Sequence, residues 1–308
     1  MNNRSFIFPG QGSQSVGMSK CILSTNLSKK MFDIMNNEIG YDLLDIIMNG
    51  PEDLLKKTKN TQPAIFTLSL IIDQILKDNN VHPIAVAGHS LGEYSALVSS
   101  GVIRFEDAVK LVIIRSNEME RANNLNDGSM AAIINLSKDI LKNILNELPG
   151  VATIANYNSE NQLVISGETK SIESTIKRVE EKYKQSKCIK LNVSGAFHSP
   201  LMSFAREALE TQINLLPFNN SKIPIFQNIN GEPIKDSIKI KENLILQLEN
   251  PVQWSSTINN MIKHLKSNKF IECGPSSVLS GINRRISREI ETINTDTIEK
   301  IRALWVKN

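Results

Sequence analysis

The sequence predicts an α/β fold in which a parallel sheet wrapped by helices is interrupted by a smaller ferredoxin-like insert. Two short apolar runs, Ser5-Phe6-Ile7-Phe8 and Ile84-Ala85-Val86-Ala87, have the length and β-branched or aromatic content of buried strands. Each runs into a glycine-containing turn. From Asp127 the pattern becomes strand, helix, strand, strand, helix, strand, the β-α-β-β-α-β order of a ferredoxin-like unit. The expected organisation is a discontinuous large domain, residues 1–126 and 194–308, with an insert at 127–193.

Composition sets wide bounds. At 308 residues, with 41% hydrophobic and 22% charged, the chain can build one large core or a core plus a lobe. A net charge of +3, from 35 Lys and Arg against 32 Asp and Glu, is small and dispersed, which argues against nucleic acid. Cys21, Cys188 and Cys273 form no C-x-x-C pair, so neither a zinc site nor a disulfide framework is indicated, and a reducing, cytoplasmic setting is expected. The apolar start is too short for a signal peptide and no segment is long enough to span a bilayer, so no membrane association is expected.

After the first strand comes Pro9-Gly10-Gln11-Gly12-Ser13-Gln14, rich in free amides but lacking the G-K-[ST] ending of a phosphate loop. Two readings stand, a plain strand-to-helix turn and a donor of backbone N–H groups to an anion. Residues 27–80 read as amphipathic helices broken at Gly40, Gly50-Pro51 and Pro63, the last running from Ala64 to Lys77. Gln62 then falls just ahead of a helix and reads as a solvated cap.

The stretch Val86 to Tyr94 contains G-x-S-x-G as Gly88, Ser90 and Gly92, between a predicted strand and the helix that starts near Tyr94. That context turns a common tripeptide pattern into a nucleophile elbow, a tight turn that exposes the Ser90 hydroxyl while the Leu91 N–H points to the same spot. Glycine on both sides is expected to let the backbone take this strained turn without a clash. In the next predicted helix, Phe105 to Arg121, the apolar spacing of Ala108, Leu111, Val112 and Met119 puts Arg115 in the middle of the apolar face. A buried guanidinium needs an anionic partner, either a protein carboxylate or a ligand.

The insert ends at Ser194-Gly195-Ala196-Phe197-His198-Ser199-Pro200, a histidine on a loop between a strand and a helix. His82 and His264 read as surface residues, and His89 is expected to turn away from its neighbour Ser90. His198 is therefore the best general base. Further on, helices are expected from Lys241 to Leu248 and from Trp254, a strand at Phe270-Ile271-Glu272, and helical spacing from Asp296 to Val306, a tail that either docks on the body or leads onward.

Taken together, the Pro9–Gln14 loop, Gly88-His89-Ser90-Leu91-Gly92-Glu93, Arg115, Gly195-Ala196-Phe197-His198-Ser199 and Asn250-Pro251-Val252-Gln253-Trp254 resemble the malonyl-CoA:acyl carrier protein transacylases, including the discrete acyltransferases that serve polyketide synthases. The match runs in order from about Phe6 to about Arg285, and the tail after about Arg288 departs from it. The resemblance implies an α/β-hydrolase-like large domain, a Ser90 nucleophile, a His198 base, an oxyanion hole from the Gln11 and Leu91 amides, and Arg115 as the grip on a malonyl carboxylate. In place of a triad aspartate it implies the backbone carbonyl of Gln247 as the group that orients the histidine. Gln62 and Asn158 match polar active-site positions, and Phe197 matches the malonyl-type pattern that crowds an α-methyl branch. It further implies malonyl-CoA as substrate, a phosphopantetheinylated acyl carrier protein as partner, no bound metal or cofactor, and a monomer.

Two rivals remain from the sequence. An acyl hydrolase of the same fold would use the same serine and histidine, although Arg115 has no purpose in a lipase. Ordinary α/β-hydrolases also place an acid between serine and histidine, and none of Asp107, Asp127 and Asp139 sits in a late strand-end context. A non-catalytic carrier-docking module would not need Ser90, His198 and Arg115 all intact.

Overall fold

The computed structural model describes residues 3–193 and 195–305, so Ser194 of the histidine loop and Val306 of the tail lie outside the described residues. The first strand, β1 (Ser5–Phe8), is buried along its whole length. Four helices, α1 (Lys20–Leu23), α2 (Asn26–Ile39), α3 (Leu43–Asn49) and α4 (Glu52–Leu55), lead to the 21-residue α5 (Thr58–Asp78). The expected breaks at Gly40 and Gly50 hold, because both glycines end helices at positive φ, 83° and 76°.

The expected break at Pro63 does not hold. Proline lies inside α5, where it removes only the bond its own N–H would have made one turn back. Almost every neighbour in that helix is buried. Tertiary packing on all sides overrides the local penalty, and Gln62 becomes a buried side chain rather than a solvated cap.

Strand β2 (Val86–Gly88), helix α6 (Gly92–Ser99) and the long α7 (Phe105–Leu125) follow. Next come β3 (Gly128–Ile134), α8 (Lys138–Glu147), β4 (Ala152–Ser159), β5 (Gln162–Glu168), α9 (Thr169–Lys182) and β6 (Lys187–Lys190), in the element order the sequence predicts. They make a separate antiparallel sheet in the order β4-β5-β3-β6. Its two faces differ, as alternation along a strand requires. Ala131, Ile133, Ile154, Leu163 and Ile165 pack with apolar residues of α8 and α9, whereas Met130, Ala132 and Val164 join the core of the larger sheet.

The chain returns through α10 (Ser203–Leu215), β7 (Ile225–Phe226), β8 (Pro233–Ile234), α11 (Ser237–Leu246), α12 (Trp254–Leu265), β9 (Lys269–Glu272), α13 (Val278–Ile286), β10 (Glu291–Asn294) and α14 (Ile298–Ala303). The main sheet has the order β10-β9-β1-β2-β7-β8, parallel except for β8. Helix α11 starts earlier than the sequence suggests because Asp236 caps it, accepting from Lys239 N at 2.9 Å. The tail docks: β10 adds an edge strand beside β9, and Ile301 of α14 and Leu304 just after it are buried.

The two sheets are joined at the Asn-Pro-Val-Gln-Trp segment. Val252 N donates to Ala155 O at 2.8 Å and Tyr157 N to Val252 O at 2.9 Å, a short parallel bridge that ties β4 to the main body. Among the described residues no helix is long and apolar enough to cross a membrane.

Candidate active site

Ser90 sits where β2 ends and α6 begins, in the left-handed region at φ 53°. A non-glycine residue in that region is strained, and the turn is held against the strain by packing. The flanking glycines avoid a clash, as expected, but not by their own dihedral angles. Neither Gly88 nor Gly92 has positive φ; instead, a methyl at Gly88 would overlap the Gly92 backbone, and one at Gly92 would overlap the Phe8 carbonyl. They are small so that strand, turn and helix can close on each other.

The Ser90 Oγ lies 2.7 Å from His198 Nε2. His198 is 2% exposed, on the loop before the Pro200–Met202 turn, also at positive φ, 57°. Its Nδ1 faces two backbone carbonyls, Gln247 O at 2.9 Å and Asn250 O at 3.1 Å. Carbonyls only accept, so the proton sits on Nδ1 and Nε2 is left bare to receive the serine proton. Burial, and after it the Arg115 charge, push the His198 pKa down to about 3, which keeps the imidazole neutral.

Arg115 is brought in by the buried stripe of α7, between Val112 and Met119, and is 1% exposed. Its Nη1 donates to Gln62 Oε1 at 2.7 Å; its Nη2 donates to Ser90 Oγ at 3.0 Å and to Gln247 Oε1 at 3.3 Å. Every acceptor is neutral. Among the described residues no carboxylate pairs with it and its Nε has no partner. Burial lowers its pKa, from a value so high that the guanidinium stays charged.

Gln11 and Leu91 line the same cleft, and among the described residues neither backbone N–H donates to a protein acceptor. Gly10 packs directly on the His89 carbonyl, so the Pro9–Gln14 loop is seated on the elbow. The cleft encloses about 230 Å³ between the two sheets. Phe197 and Val164 line it with apolar surface, and Gln62 and Asn158 border it with polar surface. All the side chains singled out in the sequence therefore converge.

Several participants escaped sequence reasoning. His89 makes no side-chain hydrogen bond to Ser90 among the described residues but still lines the cleft: its Nε2 lies 3.0 Å from Asn158 Oδ1, and burial lowers its pKa. Gln247 contributes its side chain as well as its carbonyl, since its Nε2 donates to Ser90 O at 3.0 Å. Asn228 and Glu93 form a buried network behind the elbow. The Gln227-Asn228 amide pair right after the apolar Ile225-Phe226 is the only local signal, and it does not reveal what the amides bond.

The acyl transferase domain model matches residues 5–300. A malonyl CoA-acyl carrier protein transacylase of Bacillus subtilis (strain 168) is 35% identical over 305 residues, covering 98% of this chain and 96% of that protein. The structure of the malonyl CoA-acyl carrier protein transacylase from Coxiella burnetii superposes with TM-score 0.93 at 34% identity, covering 98% of this chain and 96% of that one. A type II PKS acyl-carrier protein in complex with its malonyl-transacylase gives TM-score 0.93 at 30% identity, covering 99% of each chain. With the family model spanning nearly the whole length and relatives of this identity matched end to end, the chain belongs to the malonyl CoA-acyl carrier protein transacylase family of acyl transferases.

Proposed function

We propose that this chain moves a malonyl group from coenzyme A to the phosphopantetheine thiol of an acyl carrier protein, in fatty-acid or polyketide synthesis, through a malonyl ester on Ser90. The observation that carries it is Arg115, a buried cation surrounded by neutral acceptors, 3.0 Å from Ser90 Oγ. In a malonyl ester the free carboxylate is two carbons from the acyl carbon, so it falls near that guanidinium. A charge-assisted pair there replaces weaker neutral contacts.

In the first half-reaction His198 Nε2 takes the Ser90 proton as Oγ attacks the thioester carbonyl, and the oxyanion is held by the Gln11 and Leu91 N–H groups. The C–S bond breaks and the thiolate leaves with the proton from His198. In the second half-reaction the carrier thiol gives its proton to the same nitrogen, attacks the ester, and Ser90 recovers its proton. The carbonyls of Gln247 and Asn250 hold the imidazole throughout. Phe197 beside the base crowds an α-methyl branch and favours malonyl over methylmalonyl groups.

The same reading divides the chain into an α/β-hydrolase-like body, residues 1–126 and 194–308, and a ferredoxin-like insert, 127–193. The β4-β5-β3-β6 order supports the second description. Incubation with malonyl-CoA followed by a phosphopantetheinylated carrier protein tests the function. Mass spectrometry should find malonate first on the Ser90 peptide and then on the carrier. Release of free malonate instead would make the chain a hydrolase, and no adduct would leave only a docking role.

A further inference from the structure

The strained turn at Ser90 is spanned by a side chain from the end of the neighbouring strand, distant in sequence. Asn228 follows β7, which pairs with β2, and so arrives beside the elbow although 138 residues separate it from Ser90. Its Oδ1 accepts the Ser90 N–H at 2.7 Å, and its Nδ2 donates to Gly88 O at 2.6 Å. One amide therefore clasps the turn on both sides of the nucleophile. Asn228 is itself anchored: its N–H donates to Glu93 Oε2 at 2.7 Å, its carbonyl accepts from Gln253 N at 2.9 Å, and it is 1% exposed. Glu93, fully buried on the first turn of α6, also accepts from Gln227 Nε2 at 3.1 Å.

We propose that Asn228 is a positioning residue for the nucleophile, its amide holding the Ser90 backbone at positive φ while Glu93 fixes Asn228 from behind. This rests on the transacylase reading above and adds a requirement to it. Two consequences follow from the geometry. The Ser90 N–H is consumed by Asn228, so the elbow supplies its oxyanion donor from Leu91. A turn released from the clasp relaxes toward ordinary φ, which swings Oγ away from His198 Nε2 and the two amides together.

The test compares Ser90 modification by malonyl-CoA with its modification by a small alkyl phosphonofluoridate, which forms an Oγ–P bond, expels fluoride and carries no carboxylate for Arg115. Asn228→Ala, shown folded by thermal melting, should slow both reactions to a similar degree, about 10²-fold, with the KM for malonyl-CoA little changed. Asn228→Asp should be slow at neutral pH, where a carboxylate opposes Gly88 O. Its rate relative to wild type should climb as the pH falls and the acid O–H can donate to that carbonyl. Glu93, which accepts the residue 228 N–H, would couple to the new carboxylate, so the ratio is read in a Glu93→Gln background; His89, Tyr94, Arg115 and His198, the other titratable groups around the elbow, are common to both proteins.

Wild-type rates in folded Asn228→Ala, or a loss confined to malonyl-CoA, would overturn the proposal. If Asn228→Ala does not fold, the Asn228→Asp ratio decides: rising supports the clasp and flat rejects it. A wild-type protein that reacts with the phosphonofluoridate but not with malonyl-CoA sinks the malonyl reading alone, and the clasp is then judged on the phosphonate rates. Reaction with neither removes Ser90 as nucleophile and the clasp with it.

Discussion

Ser90 and His198 meet at 2.7 Å, and both do so from the left-handed region of backbone space, at φ 53° and 57°. Two strained residues facing each other mean that the surroundings, not local preference, hold the pair together. Among the described residues no carboxylate completes a triad: the Gln247 and Asn250 carbonyls occupy Nδ1. The imidazole is thus oriented without a negative charge to stabilise an imidazolium.

His198→Ala should retain the fold and lose acylation. Positioned proton transfer contributes about 10²–10⁴-fold, so Ser90 malonylation followed by mass spectrometry should fall within that range. Acylation at the wild-type rate would mean that a different base operates, and His89 would be the next candidate in the cleft.

Arg115→Ala should reverse substrate preference. Removing a buried, hydrogen-bonded charge partner costs about 2–5 kcal/mol in a bound ion pair, so transfer from malonyl-CoA should drop accordingly while acetyl-CoA is used equally well or better. The ratio of the two rates, measured beside a melting curve, is the readout. An unchanged ratio would show that the guanidinium serves only its contacts to Gln62, Ser90 and Gln247.

The His198 imidazole should remain neutral from pH 8 down to pH 5, because burial and the Arg115 charge push its pKa to about 3. Histidine-labelled protein followed by NMR, with His198→Ala to assign the signal, checks this. In Arg115→Ala the transition should move upward, since the second of the two causes is gone.

Glu93 reports through stability. Burial pushes its pKa from 4.5 up to about 7, outweighing the bonds from Asn228 and Gln227 that lower it. The folded state then holds a proton that the unfolded chain releases, so its contribution is complete below pH 4.5 and is lost as pH rises through about 7. Across that window the unfolding free energy of wild type minus that of Glu93→Gln should decline by up to about 3 kcal/mol. Urea unfolding from pH 5 to pH 8 measures it, and a difference that stays level would mean that Glu93 ionises normally despite its burial.

The sequence by itself determined the elbow, the histidine loop and the arginine on an apolar helix face, because each is written in local spacing. A glycine two residues either side of a serine, or an arginine at helical intervals from leucines, is visible within one or two turns of chain. It also determined the order of elements in the small sheet, since strand and helix periods differ. Tertiary structure decided the rest. Pro63 reads as a helix break until the packing around α5 is known, and Gln62 then changes from surface cap to buried partner of Arg115. The neutral shell around Arg115 comes from residues 25 to 132 positions away in sequence, so whether its anion was a protein carboxylate could not be read locally. Asn228 reaches the elbow only because β7 pairs with β2, and Gln247 serves by a carbonyl whose direction no side-chain pattern encodes. Local spacing carries the identity of a group, whereas the direction of a backbone dipole and the partner of a buried amide are set by which distant segments the sheet brings together.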